Sequence, residues 1–101
     1  MKIEGIFNLE SYSLSHKVLT FEHSIHFEKK EVSKIIFDSV FFMQMPSSLR
    51  DPVIYEGDKN EQNYIDNQMI GFINYWNLSK VFVIESGENK YYVGAGRMRI
   101  E

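Results

Sequence analysis

Three groups of residues in this chain are of types that can do chemistry: the histidines, a run of carboxylates in the middle, and a glycine pair near the end. His26 sits among Glu22 and Glu28 on alternate positions of "FEHSIHFE". Carboxylates flanking an imidazole at strand spacing can hold a metal or work as an acid–base pair. No further ligand is evident, and a solvated strand face is the simpler reading. A small metal- or ligand-binding domain or enzyme built on His26, Glu22 and Glu28 is kept as the alternative function. His23 shares the apolar face of its segment and reads as a core residue. His16 falls in a turn.

Gly94 and Gly96 invite comparison with a phosphate-binding loop. A dinucleotide fingerprint needs a third glycine and a helix after it. Here Arg99 takes the third position, and two residues follow it. Gly94 and Gly96 therefore read as a bare strip on one strand face, beside Tyr92 and Met98, where a ring or another backbone can approach closely. No serine lies in a G-x-S-x-G elbow. The chain has no cysteine, which excludes disulfides, thiolate zinc sites and cysteine nucleophiles. No cofactor is expected.

Charge is unevenly spread. Residues 1–50 balance, with six acids and six bases. Residues 51–88 hold seven acids (Asp51, Glu56, Asp58, Glu61, Asp66, Glu85, Glu88) against Lys59 and Lys80. Lys90, Arg97 and Arg99 face only Glu101 in the last stretch. No basic stripe tracks a phosphate backbone, so direct nucleic-acid binding is not expected. Tyr91 is the one strand aromatic with basic company, near Arg97 and Arg99. The acidic middle suits a basic partner. The opening residues lack a secretory h-region, and no apolar run approaches a membrane span, so a cytoplasmic protein with no membrane contact is expected.

The elements that must position these residues form one domain, residues 1–101. Aromatic content of 15% favours strands and a filled core. "KIEGIFNLESYSLS" alternates poorly and reads as an edge strand and a turn. "KVLTFEHSIHFE" alternates with period two, placing Leu19, Phe21, Ile25 and Phe27 on one face. "VSKIIFDSVFFMQM" reads as a strand, a kink at Asp38-Ser39 and a second apolar stretch. "PVIYE" is a short strand, and "GDKNEQ" follows as a loop. Ile65, Met69, Phe72 and Trp76 then fall at helical spacing, with Asp58 and Glu61 resembling a capping box. "KVFVIE" and "KYYVGAGRMRI" form a terminal hairpin around "SGEN". The expected fold is α+β: a mainly antiparallel β-sheet of roughly six strands packed on one α-helix.

This layout resembles the small immunity proteins of bacterial polymorphic toxin systems, including contact-dependent growth inhibition. The resemblance lies in the opening "LTFEHSIHF", the middle "IIFDSVFFMQMPSS", the acidic "YEGDKNEQNYIDNQ" and the closing hairpin "FVIESGENKYYVGAGRMRIE". It implies a protein that binds and neutralises a cognate toxin domain, basic and nuclease-type, and is not itself an enzyme. Asp51, Glu56, Asp58, Glu61 and Asp66 would supply the electrostatic contacts, with Tyr55, Tyr64 and Tyr75 as anchors. Self-association is left open.

Overall fold

The computed structural model describes residues 1–24, 31–68 and 80–101. Its elements are β1 (Ile6–Ser13), β2 (Val18–His23), β3 (Lys34–Asp38), β4 (Phe42–Gln44), β5 (Ser48–Arg50), β6 (Val53–Glu56), α1 (Lys59–Gln68), β7 (Lys80–Ser86), β8 (Asn89–Ala95) and β9 (Arg97–Ile100). The strands pair antiparallel in two sheets, ordered β5-β1-β2-β3-β9 and β4-β8-β7-β6. The mainly antiparallel α+β architecture agrees with expectation. The strand number does not: the described residues hold nine strands in two sheets, where roughly six were expected.

The difference has a local cause. Three extended segments bend and give one strand to each sheet. β3 runs into β4 through Ser39, whose φ is 57°. Beside it β8 runs into β9 through Gly96, and the Gly96 N–H donates to the Asp38 carbonyl at 2.8 Å. The second corner lies across the molecule, where β5 runs into β6 through Asp51 at φ 43°. There the Asp51 N–H donates to the Gly5 carbonyl at 2.8 Å. The segment before β1 bends with it. Lys2 pairs antiparallel with Val53 of the second sheet, whereas Ile6 onward pairs with β5 of the first. Corners made by strands that switch sheets are the usual way to join two crossed sheets.

The core lies between the sheets. Phe7, Leu19, Phe21, Ile35, Phe37 and Leu49 of the first pack with Ile54, Phe82, Ile84, Val93 and Ala95 of the second. Burying each large apolar side chain contributes roughly 1.5–3 kcal/mol. His23 joins this layer, its ring edge-on to Phe7 at 5.4 Å, and its buried Nε2 has no hydrogen-bond partner among the described residues. β1 is an interior strand, between β5 and β2, and not the expected edge. Its poor alternation comes from a bulge between Leu9 and Ser11, which shifts the phase of the side chains.

Helix α1 lies on the outer face of the second sheet. Ile65 is fully buried, as are Val81 and Val83 of β7 beneath the helix start. The helix begins at Lys59, inside the segment expected to be a loop. Met69, Phe72 and Trp76 of the expected stripe, like Ile25 and Phe27 of the second strand, lie outside the described residues. Among the described residues no helix is long and apolar enough to cross a membrane.

Candidate functional site

Most of the expected binding residues lie along β6 and the helix that follows it. Asp51 stands at the corner before β6, and its Oδ1 accepts the Gly5 N–H at 2.8 Å. Asp tolerates the left-handed backbone this position needs, because its short polar side chain bonds locally. Tyr55, opposite Val83 on the outer face, donates its hydroxyl to Glu85 Oε2 at 2.7 Å. Glu56 closes the strand, exposed, with Lys80 Nζ at 3.9 Å. Exposed pairs of this kind contribute little, about 0–1 kcal/mol.

Asp58 and Glu61 do form the capping box. The Glu61 N–H donates to Asp58 Oδ1 and the Asp58 N–H donates to Glu61 Oε1, each at 3.0 Å. Two backbone donors at the helix start are thereby satisfied. Glu61 Oε2 also takes Lys90 Nζ at 3.4 Å, and its side chain is only 15% exposed. Tyr64, one helical turn on, sets its ring 4.8 Å from that of Tyr92, and its hydroxyl reaches Gln44 Oε1 at 3.4 Å. Asp66 lies in α1. Tyr75 lies outside the described residues.

The structure thus brings Tyr55, Glu61 and Tyr64 together over the outer face of the second sheet, with Glu56 and Asp58 at the end of β6 and Asp51 before its start. It adds Glu85, Lys90, Tyr92 and Gln44, which sequence reasoning did not place there. Glu85 and Lys90 face each other in the β7–β8 hairpin. Counting back from the Gly87–Glu88 turn would have paired them. Glu85 holds the Tyr55 phenol above its ordinary pKa, helped by burial and by the charge of Glu61. The Tyr55 oxygen and then Glu61 hold the Lys90 ammonium above its own ordinary value. Tyr55 therefore stays neutral and Lys90 charged across the physiological range.

The arginines near the end of the chain are used elsewhere. Asp38 Oδ2 accepts Arg97 Nε at 2.9 Å and Arg99 Nε at 2.6 Å, while Asp38 Oδ1 accepts Arg99 Nη2 at 3.0 Å. Arg99 holds the Asp38 carboxyl below its usual value against the opposing effect of burial, with Arg97 assisting. This cluster sits on the first sheet. Tyr91 belongs to the second and packs against the core, so the expected company of Tyr91 with Arg97 and Arg99 does not form. Gly94 and Gly96 are likewise separated, with Tyr92 and Met98 on different sheets.

Of the alternative triad, His26 and Glu28 lie outside the described residues, and Glu22 is exposed opposite Lys34. Among the described residues no three metal-ligating side chains are grouped to hold an ion. What the β6–α1 region can do is present carboxylates and two tyrosines on a backbone fixed by caps and cross-strand bonds. Comparison of the chain with protein-family models, with curated proteins and with solved structures finds no match.

Proposed function

We propose that this chain is an immunity protein, one that binds a cognate toxin domain and neutralises it by covering a basic, nuclease-type active site with an acidic surface. The observation that carries the reading is the placement of Tyr55, Glu56, Asp58, Glu61 and Tyr64 on one strand end and the helix it feeds. Asp58 and Glu61 are held by reciprocal bonds to backbone, so little side-chain freedom is lost when a partner docks. Glu61 is paired with Lys90 and mostly covered, whereas Glu56, in a loose exposed pair with Lys80, and Asp58 are exposed to solvent. Opposite charges across such an interface chiefly speed association and set partner choice.

The test is a pull-down with the tagged full chain, from lysate of its source and with the product of the neighbouring gene co-expressed. One stoichiometric basic protein, retained at low salt and weakened at high salt, is expected. Recovery of no partner at either salt would remove the reading.

A further inference from the structure

The residues before β1 form an arm along the outer edge of β6. Met1 and Ile54 exchange two bonds, Ile54 N–H to the Met1 carbonyl at 2.7 Å and the Met1 amine to the Ile54 carbonyl at 2.9 Å. The Ile3 N–H donates to the Pro52 carbonyl at 2.9 Å. Positions 52 and 54 therefore point their backbone groups outward. By the same alternation so does Glu56, one step beyond the arm.

The arm is held by these backbone bonds and by one side chain that enters the core. Of Met1, Lys2, Ile3 and Glu4, only Ile3 is buried. An open cleft of about 530 Å³ runs beside it, lined by those four residues with Glu31, Val32 and Ile100. Gly5 joins the arm to β1 at φ 126°, an angle that favours glycine, and both its N–H and its carbonyl are bonded to Asp51, so an arm leaving β6 would peel back to this fixed point. The edge that the arm covers carries Asp51, Glu56 and Asp58 at or beside its ends, and the arm itself sets a lysine, Lys2, opposite Val53.

We propose that the arm is displaceable, and that the partner binds by laying an extended, lysine- or arginine-bearing segment along β6 in its place. This rests on the reading of the chain as a toxin-binding protein. Strand addition gives the partner the outward groups of Pro52, Ile54 and Glu56 as a backbone template, and side chains then supply selectivity. The chemistry of the segment follows from the arm it replaces. It carries a base where Lys2 stands, between the acids at the two ends of β6. Beside that base it carries an apolar residue to fill the site left by Ile3.

The absence of native cysteine makes the test clean. Met1 and Ile54 form a hydrogen-bonded pair, so Lys2 and Val53 form a non-hydrogen-bonded one, whose short Cα separation suits a disulfide. Lys2→Cys with Val53→Cys, oxidised, fastens the arm to β6; reduced, it is its own folded control. The probe is the purified product of the neighbouring gene, titrated by calorimetry against wild type and both redox states. At least a tenfold loss of affinity on oxidation, restored by reductant, is expected. Equal affinity in the two states would overturn strand addition while leaving toxin binding intact. No binding by any form, wild type included, would remove both. In the free protein, amide exchange at Ile3 and Ile54 should slow at least tenfold on oxidation. Unchanged rates there would show that the arm does not open, and would also overturn the inference.

Discussion

The ring of Phe41 occupies the space that a side chain on Gly94 would take: a methyl at position 94 would stand 2.6 Å from the ring atoms Cε2 and Cζ. The two residues are also joined through the backbone, Phe41 N–H to the Gly94 carbonyl at 2.9 Å. Gly94→Ala forces the ring to swing away and should cost about 1–3 kcal/mol. Phe41→Leu in the same chain should recover part of that loss. Urea denaturation of the two single variants and the double gives the coupling energy, and additive effects would show that the ring contact is not the cause.

Asp38 makes stability depend on acid pH. Its carboxyl titrates lower in the folded protein than its ordinary value, because Arg99 and then Arg97 favour the charged form. A depressed acid contributes stability that is present above the unfolded value and lost as pH falls through the folded one. Asp38→Asn should therefore cost about 1–2 kcal/mol at pH 7. The gap from wild type should begin to narrow near pH about 4 and close further below. Thermal melts of both proteins from pH 7 to pH 2.5 would show it. A gap that stays constant would mean that the ion pairs contribute nothing.

Asp51 and Asp58 each accept a backbone N–H, so reversing their charge would confuse recognition with folding. Asparagine keeps the acceptor, suits the left-handed turn and caps a helix nearly as well. The Asp51→Asn, Asp58→Asn double variant should keep its melting temperature within a few degrees of wild type. Its affinity for the neighbouring gene product should fall several-fold at low salt and converge on wild type at high salt. Asp58→Ala, in contrast, should lose about 1 kcal/mol of stability through the missing cap.

Ser39 turns the first corner at φ 57°. A β-branched residue resists that angle, and Ser39→Val should cost about 1–2 kcal/mol. Ser39→Gly should stay within about 0.5 kcal/mol of wild type, since relief at the corner offsets the added freedom of the unfolded chain. Chemical denaturation distinguishes them, and equal stability of the two variants would mean that the corner carries no backbone strain.

Several of these features could be read directly from residue order. The Asp58–Glu61 cap and the Asp38-Ser39 kink both appear where local chemistry demands them. The alternation of Leu19 and Phe21 marks the inner face of β2. The split at Gly96 was harder to see, because the segment stays extended throughout. Its signal is a slip in phase: Tyr91, Val93 and Ala95 pack inward, then Met98 and Ile100 do so one step out of register. The bulge after Leu9 blurred β1 in the same way, so that an interior strand read as an edge. The pairing of the Met1–Ile3 arm with β6 left no trace in the pattern, since contacts between residues some fifty positions apart are set by the corners and not by periodicity. Among the candidate site residues, position along the chain was legible, whereas partners such as Glu85 and Lys90 depended on strand register.

The bent segments have a further consequence for how the molecule comes apart. Each of β3–β4, β5–β6 and β8–β9 is one stretch of chain invested in both sheets. Melting either sheet would strip partners from the other at both corners. The sheets cannot act as separate cooperative units, and amides at the centre of β2 and of β7 should exchange through the same global opening. The contacts that define the two corners join distant parts of the chain, so nucleation must close long loops before any of them form, and folding should be slow for a chain of this length.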